Sequence, residues 1–235
     1  MIVAIHQPQY LPWLGYFDKI AQADVFILLD DVQFKKNEWQ NRNRIRVKDG
    51  WQWLTVPVLH NFGQPINEVL INNDVGWRNK HFNSLAVNYS HARYFSEYID
   101  FFKEAYACHW QKLSEINIYF IKAMMKFLGL KTKLIVSSEL NAEGESSARL
   151  INICKMLKSD TYLAGAGGYG YMDMKMFEKE KINVLTQDFQ HPVYDQCWPK
   201  DVEGFEPFMS VVDLLFNCGK NSLEIITSGR RNQNV

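Results

Sequence analysis

The residues best suited to chemistry sit near the start of the chain. His6-Gln7-Pro8-Gln9-Tyr10-Leu11-Pro12-Trp13-Leu14-Gly15 packs polar groups, two prolines and a glycine into one short run. His6 can donate, accept or move a proton near neutral pH. Gln7, Gln9 and Tyr10 offer directed hydrogen bonds, the prolines stiffen the run, and Gly15 lets a ligand approach the backbone. A second cluster, Asp30-Asp31-Val32-Gln33, suits a metal ion, a ribose or a substrate amine. A third, Trp39-Gln40-Asn41-Arg42-Asn43-Arg44, combines guanidinium forks for phosphate or carboxylate with amide donors and an indole. The catalytic candidates are His6, Asp30 and Asp31. The substrate-binding candidates are Gln7, Gln9, Tyr10, Gly15, Gln33, Trp39, Asn41, Arg42, Asn43 and Arg44, together with Gly165 and Gly167 of a later glycine run. No metal-ligand set is read from the sequence.

That later run, Gly165-Ala166-Gly167-Gly168-Tyr169-Gly170, has the G-x-G-x-x-G spacing. Too little chain follows it for a full dinucleotide-binding sheet. It lacks the Lys-Ser or Lys-Thr of a P-loop. It reads as a turn lining phosphate or substrate. His191, beside Pro192, reads as a surface histidine. There is no G-x-S-x-G elbow, no H-E-x-x-H and no Cys-His signature, so those hydrolase and zinc classes lose support.

These groups need elements to hold them. Ile2–Ile5 and Val25–Leu29 are short apolar runs that suit buried strands. Leu14, Phe17, Ile20 and Ala21 share a helical face between them. A strand–loop–helix–strand unit with a parallel pair follows. His6 then falls at a strand's carboxyl end and before a helix, where α/β sheets bind ligands. Arg42, Arg44 and Arg46 share one face if that segment is extended. Trp51–Val58 reads as a strand and 61–79 as loops. Apolar stripes over 94–106 and 113–128 predict two long helices. Strands at 134–136, 162–164 and 182–186, with helices between, restore the β-α-β rhythm. A capped helix is expected at Ser210–Phe216, and a mobile tail from Thr227 to Val235. The expected fold class is α/β: one domain over 1–235, a mostly parallel open sheet with a mainly helical insertion at about 80–130.

Composition bounds the rest. The chain has 235 residues, with 26 Lys+Arg against 26 Asp+Glu, so no global field favours nucleic acid. Hydrophobic residues at 47% suffice for a core and exclude disorder. The four cysteines form no C-x-x-C pair, which suits free, mostly buried thiols in a reducing compartment. No signal peptide and no membrane-length apolar run is read, so a cytoplasmic location without membrane insertion is expected.

The opening run, with Leu29-Asp30-Asp31-Val32-Gln33-Phe34, Asn41-Arg42-Asn43-Arg44, Leu54-Thr55-Val56-Pro57-Val58, Tyr162-Leu163-Ala164-Gly165 and Ser210–Asn217, resembles the bacterial WbqC-like family along nearly the whole chain. The resemblance implies a cytoplasmic protein associated with surface polysaccharide of the O-antigen type. It suggests transfer of an acyl or aminoacyl group onto an amino sugar. The strand–His loop–Gly–helix opening is also similar to HIGH-type nucleotidyltransferases, where the loop meets ATP phosphates; this chain lacks that motif's second histidine and a KMSKS-like segment. The combined expectation is a transferase acting on a sugar or nucleotide-linked amino sugar. A phosphate-bearing donor would lie between the His6 loop and Arg42/Arg44. The cofactor stays open, with a nucleotide plus magnesium as the candidate. Aminoacyl-tRNA is an alternative donor, since Lys35, Lys36, Arg42, Arg44 and Arg46 form a basic stretch around Trp39. A non-catalytic sugar- or nucleotide-binding scaffold of polysaccharide assembly is the alternative function.

Overall fold

The computed structural model describes residues 1–168, 170, 172–198 and 204–231. Its centre is a parallel five-stranded sheet. The strands are β1 (Ile2–His6), β2 (Val25–Leu28), β7 (Lys133–Val136), β8 (Thr161–Ala164) and β9 (Asn183–Thr186), in the order β7-β2-β1-β8-β9. The pairing Val3↔Val25 to His6↔Leu28 on one side of β1, and Ile2↔Thr161 to Ala4↔Leu163 on the other, keeps the pleat in phase. Alternate residues therefore feed opposite faces. Ala4, Phe26, Leu28 and Leu163 join one core, and Val3, Ile5, Val25, Ile27, Tyr162 and Ala164 the other. Burial on both faces is why these strands read as continuous apolar runs.

Helices cover both faces. The second core packs α5 (Ser146–Met156) and α6 (Met174–Lys179) through Ile151, Cys154 and Phe177. The first packs α1 (Leu14–Ala21), α7 (Val211–Cys218) and α8 (Ser222–Ser228). Between β2 and β7 the chain forms the hairpin β3 (Arg42–Val47) and β4 (Gly50–Thr55), the small pair β5 (Val58–Leu59) and β6 (Leu70–Ile71), and then α2 (Trp77–Tyr89), α3 (Phe95–Ala107) and α4 (Leu113–Phe127). The expected strand over 51–58 is thus two strands. The helix α2 begins inside the stretch read as loop. Its buried positions are Trp77, His81, Leu85 and Tyr89, one narrow row that includes a histidine, so apolar periodicity alone does not reveal it.

That histidine carries a buried polar chain. His81 Nε2 donates to the Thr55 carbonyl at 3.2 Å, which leaves Nδ1 to accept from Tyr10 Oη at 2.8 Å; Tyr10 Oη in turn lies 2.5 Å from Tyr106 Oη. Tyr10 is fully buried in this chain. The hydroxyl of this substrate-binding candidate joins the His6 loop to α2 and α3 inside the core. The expectation of a mobile tail is corrected. Thr227 and Ser228 lie in α8, and Arg230 Nε donates to the buried Asp18 carboxylate at 2.6 Å; residues 232–235 lie outside the described residues.

Burial pushes the His81 pKa down from 6.5 to about 4. The unfolded chain then binds the extra proton between these values, so stability falls as pH drops from 6.5 towards 4. His81→Leu should lose about 1–3 kcal/mol at pH 7 by leaving the Tyr10 hydroxyl without its acceptor. Urea titrations across pH should also show a shallower acid decline in the variant than in wild type.

Candidate functional site

The strand order reverses direction between β1 and β8: the chain leaves β1 towards β2 and β7, and leaves β8 towards β9 on the other side. Such a switch point opens a crevice at the carboxyl ends of the two strands. Here it is a cavity of about 210 Å³. Its walls include His6 at the end of β1, Gly165 and Gly167 after β8, Gly15 and Lys19 of α1, and Gln187 after β9. Folding therefore brings together four of the sequence candidates, His6, Gly15, Gly165 and Gly167.

His6 Nδ1 donates to the Gln7 carbonyl at 3.1 Å, and the ring meets Tyr16 edge-on at 4.9 Å. Burial, then the neighbouring Lys19, pushes its pKa down to about 4. The ring is neutral at pH 7, and Nε2 carries its lone pair with no hydrogen-bond partner among the described residues.

Lys19 is the residue that sequence reasoning missed. It is 3% exposed, and its ammonium donates to the Ile5 carbonyl at 2.9 Å. No carboxylate lies within ion-pair distance of it among the described residues. Burial pushes its pKa down from 10.5 to about 7. Its Nζ lies 3.9 Å from where a Cβ on Gly165 would stand, so the glycine keeps the approach to the amine open. In the sequence Lys19 looks like the solvated side of an amphipathic helix. The chain after β8 and the chain after β9 bury that side.

The adjacent Asp18 is not free to neutralise Lys19. It is fully buried, paired with Arg230, and accepts from Gln187 Nε2 at 2.7 Å and Gln22 Nε2 at 2.6 Å. Gln187 Nε2 also donates to the Gly15 carbonyl at 2.8 Å, which fixes this wall of the cavity. Trp13 forms another wall. Its indole covers Gly15 so closely that a Cβ there would lie 2.4 Å from the ring. It packs against Phe189 at 5.5 Å and Phe208 at 5.9 Å, and His191 stacks on it at 6.3 Å. His191 is therefore part of an aromatic stack, not a surface histidine. In the glycine run, Gly168 N–H donates to the Gly165 carbonyl at 2.8 Å, which closes a turn; Tyr169 lies outside the described residues.

The remaining candidates lie elsewhere. Asp30 is buried and accepts from Ser138 N–H at 3.0 Å and Ser138 Oγ at 2.9 Å. Asp31 pairs with Arg149 and accepts from Ser137 Oγ. These carboxylates tie the ends of β2, β7 and α5 together. Among the described residues no group of three or more His, Cys, Asp or Glu could hold a metal ion. Asn41 and Asn43 are also buried, and their amides donate to the carbonyls of Val56 at 3.0 Å and Leu11 at 2.7 Å. Gln7 accepts from Gln40 Nε2 at 2.7 Å, Gln9 is buried, and Gln33 is exposed beside Pro65. Trp39, Arg42 and Arg44 line a separate cleft that shares no residue with the His6 cavity. The expected donor site between the His6 loop and these arginines is thus two sites. Arg46 leaves the basic stretch: it is buried and donates to the Gly50 carbonyl at 2.6 Å. All four cysteines are free thiols, and Cys108, unlike the others, is exposed. No helix among the described residues is long and apolar enough to cross a membrane.

The model of the WbqC-like protein family matches residues 7–225. The chain is also 38% identical over 221 residues to a protein of Mycobacterium tuberculosis (strain ATCC 25618 / H37Rv) described as uncharacterized protein Rv1507c, covering 92% of this chain and 94% of that one. No solved structure matches.

Gly15→Ala should cost about 1–3 kcal/mol in urea unfolding, because the indole must move. Gly167→Ala, with nothing within 4 Å, should be nearly neutral. Lys19 holds its proton more tightly in the unfolded chain, so wild-type stability should rise with pH between about 7 and 10.5. Lys19→Met should remove that rise and be the more stable protein at pH 7.

Proposed function

The chain belongs to the WbqC-like protein family, and on that premise we propose that it is a transferase of bacterial surface-polysaccharide synthesis, acting in the cytoplasm. It takes a sugar or a nucleotide-linked amino sugar and a phosphate-bearing activated donor, and moves an acyl or aminoacyl group. The observation that carries this reading is Lys19: a buried amine in the switch-point cavity with no carboxylate partner. A buried cation without a counter-charge is costly. An anion arriving at the cavity relieves that cost, and the phosphate of an activated donor is such an anion. Its charge favours the ammonium, so Lys19 takes up a proton as the donor binds and then neutralises charge on the leaving phosphate. The Gly165 turn lines the cavity beside it.

His6 has a different task from the one its residue type suggests. With a pKa of about 4 it is a weak base. Its Nε2 lone pair accepts from an acceptor N–H or O–H and aims the nucleophile at the donor. The fixed Nδ1–H to Gln7 bond holds that tautomer.

Calorimetry with nucleotide-linked amino sugars, in two buffers of different ionisation enthalpy, tests the assignment. Wild type should take up protons on binding between pH 7 and 9. Lys19→Met should bind at least about tenfold more weakly and take up none. Unchanged affinity and proton uptake in Lys19→Met would overturn the anion site. His6→Gln should lower turnover by about a hundredfold with the fold intact; binding without turnover in wild type would favour the non-catalytic sugar-binding scaffold.

A further inference from the structure

The hairpin β3–β4 carries a second cluster that the His6 cavity does not use. Arg42 and Arg44 alternate on one face of β3, and the pairing Arg44↔Trp53 sets them against the indoles of β4. The Arg42 guanidinium lies 4.2 Å over Trp53, and that of Arg44 4.9 Å over Trp51 and 5.7 Å from Trp39. Trp39 and Trp51 sit 5.5 Å and 5.3 Å from Trp53. The group walls a cleft of about 390 Å³, room for one ring-sized unit.

The guanidiniums lie over the indoles, yet among the described residues their N–H groups find no acceptor. Neither arginine forms an ion pair or a side-chain hydrogen bond among the described residues, and both Nε atoms are buried without a partner. The third arginine of the strand, Arg46, shows the contrast, since it spends its donors on the Gly50 carbonyl. Glu38 lines the cleft and Glu206 lies near Arg44, but neither pairs with the guanidiniums. Stacking fixes a guanidinium's plane and leaves its fork in the plane, the geometry that takes two oxygens of one phosphate. Trp51 and Trp53 are 41% and 36% exposed, so ring faces remain open beside the forks.

We propose that this cleft is a second ligand site, for a single phosphorylated ring unit whose phosphate oxygens meet Arg42 and Arg44 and whose ring packs on Trp51 and Trp53. A nucleoside monophosphate and a sugar phosphate share this chemistry. A nucleic-acid strand fits less well, because only two guanidiniums face the cleft and the chain has no net charge. The proposal does not rest on the reading of the His6 cavity. The backbone carrying Trp39 is nevertheless joined to the His6 loop, since Tyr10 N–H donates to the Trp39 carbonyl at 3.0 Å.

Fluorine NMR of protein labelled with 5-fluorotryptophan, with resonances assigned by single Trp→Phe variants, tests it. The probes are uridine monophosphate, glucose 1-phosphate, uridine and glucose, titrated into wild type and into Lys19→Met. The expected result is saturable movement of the Trp51 and Trp53 resonances with one or both phosphorylated probes, undiminished in Lys19→Met. Which of the two binds more tightly identifies the source of the phosphate. Arg44→Gln should weaken binding at least about tenfold. Arg42→Lys and Arg44→Lys, which keep the charge and the stacked stem but lose the fork, should also weaken it while circular dichroism stays unchanged. Equal shifts with uridine or glucose, or no shift with any probe, would overturn the proposal. So would much tighter binding of a single-stranded oligoribonucleotide with steep salt dependence. Loss of the shifts in Lys19→Met would assign the binding to the His6 cavity instead.

Discussion

Most of the residues between His6 and Leu14 run through the interior, and their carbonyl groups must find donors there. Two of those residues are prolines, with no N–H to pair locally. The rest of the molecule supplies the bonds. Tyr16 of α1 donates to the Gln7 carbonyl, Asn117 of α4 to Pro8, Asn43 of β3 to Leu11, and the Val211 N–H of α7 to Pro12. Four elements far apart in the chain thus converge on one loop. Because the loop cannot shift without breaking several of these bonds, His6 and Trp13 sit at fixed positions on the rim of the sheet. The buried Tyr10–His81–Tyr106 chain locks the same loop from α2 and α3.

This constraint explains why polar residues of the N-terminal half that look like ligand contacts are internal. A buried amide is costly unless its groups are bonded. Asn43 meets that requirement through the Leu11 carbonyl and the Arg44 N–H, and Asp30 by accepting from the Ser138 N–H and hydroxyl. The cations divide differently. Arg149 and Arg230 meet carboxylates, whereas Lys19, Arg42 and Arg44 do not. Lys19 lies in the switch-point cavity, and Arg42 and Arg44 on the hairpin face.

Much of the architecture is legible before folding. The apolar runs at 2–5, 25–29, 134–136, 162–164 and 182–186 correspond to the five parallel strands, since strands buried on both faces must be continuously apolar. The stripes of α3 and α4 and the Ser210 cap of α7 are equally plain. The helix α2 is not, because its buried row holds a histidine and a tyrosine whose polar atoms are satisfied by residues distant in sequence.

The sequence by itself determined an α/β sheet with its histidine loop at a strand's carboxyl end, because hydrophobic period and proline punctuation are local properties. Only the tertiary structure decided which polar side chains line a cleft and which are internal. Asn43 and Arg44 are neighbours on one strand, yet the pleat sends one inward to a carbonyl and the other outward against indoles. Lys19 looks solvated in its own helix until β1 and the chain after β8 and β9 close around it. Burial, and whether a buried charge finds a partner, depend on what packs from far away in the chain.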